Sequence, residues 1–118
     1  MIDKNKVKKE KYLRRQHRTR FKISGTALKP RVSVFRSLSH IKVQAIDDVS
    51  GRTLASVSDQ EIKAKGHKTD KALSVGVAFG KKLSDQNITA IIFDRGAYKY
   101  HGRVKALAEG IRQAGIKF

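Results

Sequence analysis

Eight cationic side chains, Lys8, Lys9, Lys11, Arg14, Arg15, Arg18, Arg20 and Lys22, fall within fifteen residues, and Glu10 is the lone carboxylate among them. Ammonium and guanidinium groups at that density are suited to neutralising phosphates. Arginine adds a planar fork of donors that fits a phosphate better than a point charge does. Each phosphate neutralised releases condensed counterions, so affinity comes without base preference. A solvated charged face or a localisation tail is the blander alternative, and the scarcity of interleaved acids argues against it.

A second group lies in Asp94-Arg95-Gly96-Ala97-Tyr98-Lys99-Tyr100-His101-Gly102-Arg103. The apolar run Ala90 to Phe93 leads into it and a helical pattern leaves it. The segment is therefore expected at the carboxyl end of a strand and the start of a helix, where open α/β sheets place ligands. Backbone N–H groups at the helix start favour a phosphate. Gly96 and Gly102 allow close backbone approach, and Arg95, Lys99 and Arg103 bring charge. Tyr98, Tyr100 and His101 can stack on bases or bond ribose hydroxyls. The segment matches no phosphate-loop fingerprint. A third group is a hairpin tip bearing donors, Arg36-Ser37-Leu38-Ser39-His40 with Lys42; Arg31, Arg36, Ser37, His40 and Lys42 join the candidate RNA contacts.

Charge over the whole chain supports a polyanionic partner. The 118 residues hold 27 Lys and Arg against 10 Asp and Glu, a net charge of +17. Met1 to Arg36 carries 13 basic residues against Asp3 and Glu10, a balance of +11, and the other 82 residues carry +6. Residues 1–26 read as a basic arm and 27–118 as one globular α/β domain. No apolar run approaches the ~20 residues of a membrane-spanning helix, and no apolar core of a secretory signal follows the basic start. Without cysteine there is no disulfide framework or thiolate zinc site. A cytoplasmic protein with no membrane, metal, cofactor or small-molecule substrate is expected.

The elements that must position these groups follow from patterning. Asp3 to Lys22 is a helix or a disordered arm, because good helix formers fill it but Val7, Leu13 and Ile23 make no stripe. After Ser24-Gly25-Thr26 and Pro30, Arg31 to Arg36 is a strand, followed by His40 to Ile46 with Ile41, Val43 and Ala45 on one face. Thr53 to Ser58 completes an antiparallel meander. Thr69 is the expected N-cap of a helix running to about Asp85, whose Gly76 and Gly80 let its backbone lie close to a sheet. Ala90 to Phe93 reads as a strand covered on both faces. Arg103 to Gln113 is the last helix, stopped by Gly115. The order β-β-β-α-β-α makes the fold class α/β: a mixed four-stranded sheet, meander plus one parallel strand, with packed helices and a basic N-terminal helical arm.

A meander followed by helix, strand and helix also suits a ribonuclease H-like nuclease, with Asp94 as a Mg²⁺ ligand. Yet the first strand has no acid, and Asp70, Asp85, Asp47 and Asp48 do not converge with Asp94. The four histidines make no metal-spaced pair, so no enzyme is expected.

Phe35-Arg36-Ser37, His40-Ile41, Gln44, Ile46-Asp47-Asp48 and above all Phe93-Asp94-Arg95-Gly96 with Tyr98 to Ala108 resemble the L18 family of bacterial large-subunit ribosomal proteins, the 5S rRNA binders. The likeness covers essentially the whole chain. It implies a protein that binds 5S rRNA and helps attach it to 23S rRNA in the central protuberance, beside neighbouring large-subunit proteins. Leu38, Lys42 and Ala97 stand where that family usually has Asn, an aromatic and a second Gly. Leu38 takes a polar contact from the hairpin tip, and Ala97 narrows the conformations open to the loop.

Overall fold

The structure is a computed structural model in which residues 4–20 and 24–118 are described. Helix α1 spans Lys4–Arg20, followed by β1 Arg31–Arg36, β2 Ile41–Asp47, β3 Arg52–Ser58, α2 Lys68–Asp85, β4 Ile92–Asp94 and α3 Arg103–Gln113. The strands form one mixed sheet in the order β3-β2-β1-β4, with β4 parallel to β1. The α/β class and the β-β-β-α-β-α order are those expected from patterning.

Register explains the division of faces. Val32 pairs with Ala45, Val34 with Val43 and Arg36 with Ile41 across β1 and β2, and Val43 and Ala45 continue onto Val57 and Ala55 of β3. All these apolar side chains are buried on one face, because side chains alternate along a strand. Helix α2 lies over β2 and β3 and packs along α3. Phe79, Leu83, Val104, Leu107 and Ile111 complete the core without exposure. Phe35 and Lys42 of the opposite face stay exposed.

Several boundaries and contacts differ from expectation. His40 belongs to the hairpin tip, since its N–H donates to Ser37 Oγ at 3.1 Å and its carbonyl accepts the Ser37 N–H at 2.9 Å. α2 begins one residue before Thr69, because Asp70 Oδ2 accepts the His67 N–H at 3.2 Å and moves the cap upstream. The glycines of α2 face a helix and not the sheet: a methyl on Gly76 would meet the Leu107 carbonyl oxygen, and one on Gly80 would meet the Ala114 methyl. Gly110 of α3 returns the close approach at Leu73. β4 is an edge strand, and its Ile92 and Phe93 are only partly buried. Ala90 lies outside it in a parallel bridge to Lys117, while Asp94 lies inside it, fully buried.

Candidate RNA interface

Helix α1 carries nine basic residues and one acid in seventeen positions, with no acid in its first turn. Lys8, Lys9, Lys11, Arg14, Arg15 and Arg18 are all exposed. A helix that is polar all round has no apolar stripe to bury and needs another partner. Tyr12 supplies one anchor to the body, its ring 6.2 Å from that of Tyr98 in an edge-on arrangement. The Arg20 side chain and Lys22 lie outside the described residues.

The hairpin tip and the loop after β4 meet at Tyr98. Its hydroxyl is 3.3 Å from both the N–H and the carbonyl oxygen of Arg36, accepting from one and donating to the other. The Arg36 guanidinium lies 4.9 Å from the Tyr98 ring centroid, a cation–π distance. Tyr98, read from sequence as a stacking platform, is thus half-buried and used to brace the end of β1. Arg103 reaches the same tip, its Nη1 donating to the Ser37 carbonyl oxygen at 2.7 Å. Tyr100 remains 40% exposed beside Phe93, with its hydroxyl 3.3 Å from Arg112 Nη1. Arg95, Lys99, His101 and Gly102 are exposed in the loop.

A buried carboxylate fixes the tip from below. Asp59 is buried; its Oδ1 accepts the Ile41 N–H at 3.2 Å and its Oδ2 lies 3.1 Å from His40 Nδ1. Burial pushes the Asp59 carboxyl up, but the bonds from His40 and from the Ile41 amide outweigh it and hold the carboxyl below its ordinary value. A depressed folded value means a stabilisation that is complete above the unfolded value of about 3.9 and fades as pH falls through the folded one. Asp59→Asn is therefore expected to lower stability at neutral pH by about 1–2 kcal/mol, and the deficit should shrink below about pH 4. Urea unfolding across that range checks it; a deficit that does not change with pH would contradict the stabilised-carboxylate account.

Two of the candidate residues have partners within the fold. Arg31, a candidate RNA contact by its charge, bonds Asp48 and Asp94 through Nε and Nη1 at 3.0 and 2.9 Å. The bonds to Asp48 raise its guanidinium value above the ordinary one. Gly96 is buried and donates its N–H to Asp94 Oδ1 at 2.8 Å, so its amide is not presented outward. Gly96 and Gly102 have φ of +63° and +56°, so glycine serves backbone conformation at both places. Ala97 is not among the positive-φ residues, and alanine is unstrained where the family's second glycine would stand.

The structure brings together Tyr12 of α1, Arg36, Ser37, His40, Arg95 and Arg103 around Tyr98, while Lys99 is exposed in the loop and Lys42 lies on the accessible sheet face. Sequence reasoning missed Tyr12, Asp59 and Lys68, the last of which lines a cleft with Arg36, Ser37, Leu38 and Arg103. Tyr12 was signalled by being an aromatic in a cationic arm; Asp59 and Lys68 gave no local signal, because only the fold sets them beside the tip. Among the described residues no group of three or more His, Cys, Asp or Glu could hold a metal ion, and no helix is long and apolar enough to cross a membrane.

Against known families, residues 6–118 match the model of ribosomal L18 of archaea, bacteria, mitochondria and chloroplast. This chain belongs to the ribosomal L18 family. It is 53% identical over 120 residues to large ribosomal subunit protein uL18 of Staphylococcus haemolyticus, covering 99% of this chain and 97% of that protein. Large ribosomal subunit protein uL18 of Thermotoga petrophila is 50% identical over 120 residues, covering 98% of each chain. The counterpart from Chloroherpeton thalassium is 50% identical over 117 residues, covering 93% of this chain and 98% of its own. The chain is accordingly a structural protein of the large ribosomal subunit and not an enzyme, with ribosomal RNA and other ribosomal proteins as its partners.

Proposed function

We propose that this chain binds 5S rRNA and helps attach it to 23S rRNA in the central protuberance, beside neighbouring large-subunit proteins. One observation carries the reading: the cationic helix α1 is joined through Tyr12 and Tyr98 to Arg36 of the hairpin tip and to the loop after β4. Phosphate contacts from α1 fix position and orientation, and the folded shape of the RNA supplies discrimination. The contact residues are Lys8, Lys9, Lys11, Arg14, Arg15, Arg18 and Arg20 of the arm, Arg36, Ser37, His40 and Lys42 of the hairpin, and Arg95, Lys99, Tyr100, His101, Gly102 and Arg103 after β4. The choice of 5S rRNA rests on the likeness of the Phe93 to Ala108 segment to the 5S-binding family.

Filter-binding competition tests it. Unlabelled 5S rRNA is expected to displace labelled 5S rRNA at concentrations at which a same-length unrelated RNA or duplex DNA does not. Equal displacement by all three would replace 5S recognition with general RNA coating.

A further inference from the structure

Arg36, Lys68 and Arg103 come from the end of β1, the start of α2 and the start of α3, yet with Ser37 and Leu38 they line one cleft of about 470 Å³. Among the described residues no carboxylate lines it, and Asp59 acts on Arg103 only through space. Gathering like charges in one cleft raises the energy of the folded chain. Arg103 shows the effect: burial first, and the neighbouring Arg36 second, hold its guanidinium below the ordinary arginine value.

The contrast with Arg31 is informative. That guanidinium, also drawn inward, is matched by Asp48 and Asp94. Arg103 is given a neutral carbonyl, and its Nε is buried with no acceptor among the described residues. Arg103 is thus fixed in place through Nη1 while no bonded carboxylate matches its charge. The Arg36 guanidinium already lies against the Tyr98 ring, and the Tyr98 hydroxyl fixes the backbone beneath it, so part of the ordering entropy is lost before an anion arrives. α3 starts at Arg103 with a glycine cap and no acid in its first turn, which adds positive potential to the same end.

We propose that Arg36, Lys68 and Arg103 form a preformed seat for one backbone phosphate of ribosomal RNA, separate from the arm. The non-bridging oxygens of a phosphodiester can accept from both guanidinium groups while Lys68 adds a point charge. This seat deepens the proposed rRNA interface and rests on it.

The test uses the full chain with 5S rRNA and 23S rRNA in separate binding titrations, comparing Lys68→Gln, Arg36→Gln, the double variant and Arg14→Ala. Each single cleft variant is expected to weaken binding to one of the two RNAs about tenfold. The RNA affected identifies the source of the phosphate. The double variant should lose far less than the product of the two, because both cations act on one shared group. Lys68 is exposed, so Lys68→Gln should melt like the parent protein. Unchanged affinities in the cleft variants, with Arg14→Ala still weakened, would overturn the seat and leave the interface standing. Multiplicative losses would overturn the shared phosphate. If Arg14→Ala is also without effect and an unrelated RNA binds equally well, the underlying interface fails with it.

Discussion

Replacing Arg31 by alanine is expected to remove about 3–5 kcal/mol of folding stability, enough to unfold much of a domain of ordinary marginal stability. The Asp94 side chain it pairs with is wholly buried, and its Oδ1 is already committed to the Gly96 N–H. Without the guanidinium, the buried Asp94 carboxylate loses the cation that offsets its desolvation, and that loss is the source of the effect. Three segments would loosen together. Asp48 Oδ2 also accepts the Gly25 N–H at 2.7 Å, so Arg31 ties the approach to β1, the turn after β2 and the loop after β4. Urea unfolding should show a lower midpoint with an unchanged slope. Arg31→Lys, which keeps charge but loses the fork, should fall between. A midpoint within error of the parent for Arg31→Ala would refute the assignment of Arg31 to the fold.

Raising salt from about 50 to 200 mM should cost on the order of 10³ in affinity for 5S rRNA, if the arm neutralises roughly six phosphates. Six exposed cations on α1, from Lys8 to Arg18, make that number of contacts available. Arg14→Ala or Arg18→Ala should reduce both affinity and the slope of its logarithm against log salt. Tyr100→Ala removes no charge and should instead reduce the preference for 5S rRNA over unrelated RNA, with little change in slope. A salt-independent affinity would discard the electrostatic mechanism. Identical behaviour of the arginine and tyrosine variants would remove the division between anchoring and recognition.

The meander and both body helices were legible because their signals are local. Ile41, Val43 and Ala45 alternate, and Val104, Leu107, Ala108 and Ile111 recur at helical spacing, so each element announces its buried face by itself. The cationic arm was equally plain, since charge density needs no fold to be counted. Failures gathered where a residue's meaning depends on what sits opposite. Arg31 looks like the other basic residues until Asp48 and Asp94 are placed beside it. Gly76 and Gly80 signal a close approach without saying to what, and the partner proved to be α3.

By itself the sequence determined the fold class, the family likeness and the polyanionic character of the partner, because periodicity, motif and net charge are sums over short stretches of chain. Only the tertiary structure decided which cations are neutralised internally and which are presented outward. Arg31 and Asp94 are 63 residues apart, and Arg36, Lys68 and Arg103 belong to three different elements. Pairing energies depend on distance in space and on access of water, and neither is written in the order of the residues.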